Sequence, residues 1–174
     1  MISEFARDAA MTAAIFGFFS AAWFGWAQED PPPPGWRPWL VAGSVAGLLV
    51  AVAGGIRAWR NWSTGTVFDA DTSPIFGLIV LFEVLLAGIG AFLFSRRGRR
   101  ELVAPWVAVV VGLHFIPMAP LLQIPFFYVV GALVTIAALA SVPIARSRDL
   151  SVTTVTGALV GSVLLAAGVV AMYA

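Results

Sequence analysis

Two residues in this chain have the type and setting to do chemistry inside a membrane: Glu83 and His114. Glu83 is the only acidic residue deep in an apolar stretch, and His114 is the only histidine in the chain. An ionisable group at that depth is costly, so it reads as a functional site by default. A carboxylate beside an imidazole can hold a proton, orient a general base or accept a polar ligand group. Glu83 stands 15 residues before Gly98, the centre of an arginine-rich turn, and His114 stands 16 after it. At about 1.5 Å per residue, both lie roughly 22–24 Å along antiparallel helices from that turn. Matched depth lets the two groups meet if their helix faces turn together. Each then lowers the other's cost of burial.

The backbone near His114 adds to this. Pro117 cannot donate to the carbonyl of Leu113, and Pro120 does the same to Ile116. Freed carbonyls at membrane depth need partners. Glu83, His114, Pro117 and Leu113 therefore form the candidate ligand-binding or proton-handling set. Ser20, Ser44, Thr135, Gln123 and Tyr128 are candidate wall residues. Two other readings use the same pair. Glu83 and His114 can act as helix–helix glue in an accessory or structural membrane subunit. Alternatively His114 serves as the base of an intramembrane enzyme, a reading weakened by the lack of an accompanying nucleophile or metal set. One pair is not a relay, which counts against a proton pump.

The elements that position these residues follow from composition. The chain has 174 residues, 60% hydrophobic and 11% charged, against about 25% charged in soluble domains. There is too little polar surface to cover a soluble fold. Stretches of about 9–27, 39–58, 74–94, 103–122, 125–145 and 152–173 each approach the roughly 20 apolar residues a spanning helix needs. The runs are continuous instead of alternating, which rules out a membrane β-barrel. The expected fold is an all-α bundle of six transmembrane helices in a single domain, 1–174. Ser73-Pro74 looks like a helix cap with proline at the first helical position. Pro31–Pro34 with Gly35 make a stiff break. Arg7 is offset by Glu4 and Asp8, so the basic region of a signal peptide is missing, and the first stretch reads as a retained span.

All ten cationic side chains are arginine. With six spans, seven arginines fall on one side and three (Arg7, Arg57 and Arg60) on the other. The positive-inside rule then puts the Arg96–Arg100 turn in the cytoplasm and both termini outside. That turn also suits anionic lipid headgroups. Tryptophans at 23, 26, 36, 39, 59, 62 and 106 fall near span edges, as an aromatic belt would. Gly43-x-x-x-Gly47 and Gly157-x-x-x-Gly161 are small-residue patterns that bring helices together, either inside the chain or with a second copy or a partner membrane protein.

Several function classes are excluded or unsupported. Net charge is +1, which gives no general pull toward nucleic acid. Cysteine is absent, so disulfides and thiolate chemistry are out. No Walker, dinucleotide, zincin or hydrolase motif is present, and nothing in the sequence names a cofactor. Asp69 and Asp71 form the one acidic loop pair, a weak outer-surface cation candidate better read as a solvated turn.

The segment from Pro105 through Gly112, His114, Phe115, Pro117 and Met118, with Pro125 and Tyr128 soon after, resembles a stretch of small multi-span proteins of high-GC bacteria. That uncharacterised family shares a G-[LV]-H-F-x-P-[LM]-A core. The resemblance covers mainly spans three to five. It implies a bacterial inner-membrane setting, and brings no activity with it. Size and span count are also similar to the substrate-binding subunits of vitamin importers, a likeness of layout alone.

Overall fold

The computed structural model describes residues 3–173; Met1, Ile2 and Ala174 lie outside the described residues. It is all-helical, with six helices long and apolar enough to cross a membrane. They are α1 (Ala6–Trp26), α2 (Trp36–Arg60), α3 (Thr72–Arg96), α4 (Val103–Leu121), α5 (Phe126–Ser147) and α6 (Val152–Met172). A short 3₁₀ turn, Arg100–Leu102, leads into α4. Gly35, at φ 87°, turns the chain out of the proline run and into α2. That left-handed conformation suits glycine because it has no Cβ to clash.

The start of α3 differs from the Ser73-Pro74 expectation. The helix begins at Thr72, and the upstream Asp69 satisfies its end: Oδ1 accepts from the backbone N–H of Asp71 (3.0 Å) and of Thr72 (2.7 Å). Pro74 falls in the first turn, where no intrahelical N–H is needed. Those two backbone N–H groups, that of Thr72 foremost, hold the Asp69 carboxyl below the usual carboxylate range.

Helix α1 is the hub of one half of the bundle, packing against α2 and α6. Small residues make this possible. A Cβ on Gly17 would sit 2.5 Å from the amide nitrogen of Ala51, and one on Gly157 would sit 2.5 Å from the carbonyl oxygen of Trp23. Without side chains at these points the backbones approach closely, which is how helices associate when lipid removes the hydrophobic drive. Gly43, Gly47, Gly157 and Gly161 all face α1. Of the two roles the sequence allows these glycines, contact inside the chain is the one seen here. Buried hydroxyls add to the packing: Ser20 of α1 donates to the Gly161 carbonyl of α6 at 2.8 Å, and Thr156 of α6 donates to Ser141 Oγ of α5 at 2.8 Å.

Helices α4 and α5 form a tight hairpin, with α5 on α6. Helix α3 stands apart. Its helical packing is against α4, where Trp106 donates to the Leu86 carbonyl at 3.0 Å and fills the gap beside Gly90. Gly90 is the only buried residue of α3. Between α1 on one side and α3–α4 on the other, the bundle is open.

Candidate functional site

That opening is a cleft of about 530 Å³. Small-molecule sites typically enclose about 300–1,000 Å³. Its walls come from α1, α3 and α4, with Phe127 and Leu164 closing the far side. Along α1 it reaches from Arg7 to Trp23, about 24 Å at the usual helical rise. Its floor is an aromatic cluster in which Phe16, Phe115 and Phe127 pack with ring centroids 5.3–5.6 Å apart.

Glu83 and His114 both line the cleft. Helical phase explains the α4 side. Val111, His114, Phe115, Met118 and Leu122 recur at three- and four-residue spacing and share one face. Nδ1 of His114 lies 3.6 Å from Glu83 Oε1, too far for a hydrogen bond. The same nitrogen is 2.5 Å from the Val111 carbonyl oxygen. A carbonyl only accepts, so this contact requires the proton on Nδ1. Nε2 is then an acceptor in the neutral ring and a donor in the imidazolium. Among the described residues, neither Nε2 nor the Glu83 carboxylate has a hydrogen-bond partner.

The rest of the sequence-derived set lies elsewhere. Leu113 and Pro117 occupy the outward face of α4, with Ile116 and Pro120. The helix runs unbroken through Pro117 and Pro120, and neither Leu113 nor Pro117 lines the cleft. Ser20, Ser44 and Thr135 spend their hydroxyls on the carbonyls of Gly161, Ala21 and Gly131. Gln123 and Tyr128 are exposed. The Asp69 carboxylate caps α3, Asp71 stands at the N-cap position without a side-chain cap bond, and no group of three or more His, Cys, Asp or Glu able to hold a metal occurs among the described residues.

Sequence reasoning missed the cleft's mouth. Asp8 is buried and accepts from Thr66 Oγ1 at 2.9 Å and from the Val67 backbone N–H at 2.8 Å. This latches the loop joining α2 to α3, which sends Val67 and Phe68 into the cleft. Phe68 packs edge-on against Phe76, with centroids 5.1 Å apart. Arg7 also lines the mouth, its guanidinium 3.7 Å from the centroid of the Trp62 ring. The available signal was an Arg-Asp pair directly ahead of an apolar run; read only as charge balance, it gave no hint of a loop 58 residues away.

Fold and cleft together define a polytopic membrane protein whose lateral opening carries two ionisable groups at mid-depth. Over 84 residues, 47% of the chain, it is 32% identical to NADH-ubiquinone oxidoreductase chain 6 of Gadus morhua. The match spans 45% of that relative, so the two are alike over less than half of either length. No family model matches the chain, and no solved structure matches it.

Proposed function

We propose that this protein binds a small, largely apolar molecule from the membrane in the α1–α3–α4 cleft, with Glu83 and His114 Nε2 meeting its polar group. The reading rests on one observation: both groups face a 530 Å³ cleft without a hydrogen-bond partner among the described residues. Polar groups used as glue between helices are normally satisfied by each other. The 3.6 Å separation and the turn of Nδ1 toward Val111 leave this pair unclosed. The gap between α1 and α3 gives a ligand a sideways route from lipid. The arginine asymmetry favours a topology with the Arg96–Arg100 turn cytoplasmic and the cleft mouth at Arg7 on the outer side, in the bacterial inner membrane that the sequence resemblance implies.

A second reading is a membrane subunit of a larger assembly. The partial likeness to a chain of NADH-ubiquinone oxidoreductase favours it, as does α3, whose helical packing is against α4 and of which only Gly90 is buried.

The test is purification in mild detergent, followed by mass spectrometry of the small molecules retained. Glu83→Gln, His114→Ala and the cleft-filling Val80→Trp should each lose the retained species, with a thermal midpoint within a few degrees of the parent. An unchanged retained set in all three, or none in the parent, removes the ligand reading. A large fall in stability with the set intact supports glue. A protein partner co-purifying at fixed stoichiometry supports the subunit reading.

A further inference from the structure

Resting on the ligand reading above, we infer that the ligand is a single-chain or lipid amphipath whose anionic head, a carboxylate or phosphate, binds Arg7 at the cleft mouth while its chain descends toward the Glu83–His114 level. Several observations converge on this. Arg7 lines the cleft, and its Nε is buried without a hydrogen-bond partner among the described residues. A guanidinium presents five donors suited to carboxylate or phosphate oxygens, so a buried donor without an acceptor is a cost that an anion would remove.

The neighbouring carboxylate is already engaged. Asp8 directs Oδ1 to Thr66 and Oδ2 to the Val67 N–H, and no ion pair to Arg7 occurs among the described residues. Trp62 covers the cation by a cation–π contact, which holds the guanidinium in place without neutralising it. Arg7 sits one residue inside the α1 N-terminus, the position where headgroups would lie if α1 spans the bilayer.

Below Arg7 the cleft is apolar in the manner a hydrocarbon chain requires. Met11, Ile15 and Phe19 on α1 face Phe76 and Val80 on α3. Phe16, which packs on Phe115 beside His114, lies nine residues beyond Arg7, about 13–14 Å down the helix. A chain anchored at Arg7 would therefore reach the polar pair roughly halfway along the cleft. A hydroxyl or carbonyl at that point of the chain would find His114 Nε2.

The experiment uses the full chain in nanodiscs of zwitterionic phosphatidylcholine, with tryptophan fluorescence as readout. Trp23 lines the cleft and Trp62 covers Arg7, so brominated chains held there quench both. Three probes are compared: a brominated fatty acid, the brominated alcohol of equal length, and brominated phosphatidylglycerol. We expect the acid or the phosphatidylglycerol to quench saturably and more tightly than the alcohol. Arg7→Gln should weaken that probe at least about tenfold, leave the alcohol unchanged, and be rescued by Arg7→Lys. Should Arg7→Gln misfold, Met11→Glu adds a negative charge to the wall and should weaken the anionic probe by the same order. Saturation by the acid alone assigns a free carboxylate as the head; saturation by phosphatidylglycerol alone assigns a lipid headgroup. Equal quenching by acid and alcohol, indifferent to Arg7→Gln and Met11→Glu but abolished by the cleft-filling Val80→Phe, overturns this inference and leaves the cleft reading intact. Absence of saturable quenching by any probe overturns both.

Discussion

Asp8→Ala should unlatch the loop over the cleft mouth, and its effect can be worked from two distances. The Asp8 carboxylate accepts from Thr66 Oγ1 at 2.9 Å and from the Val67 N–H at 2.8 Å, in a buried setting. Hydrogen bonds to charged groups contribute about 1.5–3 kcal/mol each. Taking the lower figure twice gives about 3 kcal/mol lost from the closed loop, or roughly a hundredfold rise in its open population. Phe68 against Phe76, and Phe5 beneath Gly65, still hold the loop in part, so the change stays local and the bundle remains folded. Amide hydrogen exchange reads this directly, because local opening sets protection. The Val67 N–H and its neighbours through residue 70 should exchange about a hundredfold faster in the variant, while amides of α5 and α6 stay unchanged. Asp8→Asn keeps one acceptor and should fall between. Protection at Val67 within about threefold of the parent would refute the latch, as would uniform loss of protection across all six helices.

Two further predictions concern the packing and the loop. Gly17→Val drives a side chain into the Ala51 backbone and should cost about 1–3 kcal/mol of stability, whereas Gly55→Val, where nothing lies within 4 Å, should stay within about 0.5 kcal/mol; thermal melts in one detergent compare them. The Asp69 carboxyl is held below its ordinary value by backbone N–H groups. Its contribution to the α3 cap is therefore complete above the ordinary carboxylate range and is lost only as pH falls through the lowered value. A carboxyl ¹³C titration should show that depressed midpoint, and Asp69→Asn should abolish the pH dependence of protection at Thr72.

Much of this was legible in the chain itself. Six long apolar runs with few charges, in a medium that tolerates no unpaired backbone, leave helices as the outcome. Counting residues from the Gly98 turn placed Glu83 and His114 at one depth, because helical rise is fixed. That count could not supply rotation. Whether a given residue looks into the bundle or out to lipid depends on which neighbours its helix meets, and an all-apolar span has almost no amphipathic phase to reveal it. Leu113 and Pro117 join His114 in the sequence through the carbonyl that Pro117 frees, yet both side chains lie on the outward face of α4. The same uncertainty hid the assignment of Gly43, Gly47, Gly157 and Gly161 to α1, since a small-residue stripe fits any close partner.

The latch at the mouth lay further out of reach. Asp8 meets Thr66 and Val67 across 58 residues only because α1 and α2 pack closely through Gly17, Gly47 and Gly54, bringing the α2–α3 loop over the start of α1. Composition and spacing thus determined that this chain crosses a membrane on helices and carries two titratable groups at matched depth. The side on which α3 stands, the width of the gap it leaves beside α1, and the polar atoms facing that gap were decided by tertiary packing, because each depends on backbones meeting at distances no local sequence signal encodes.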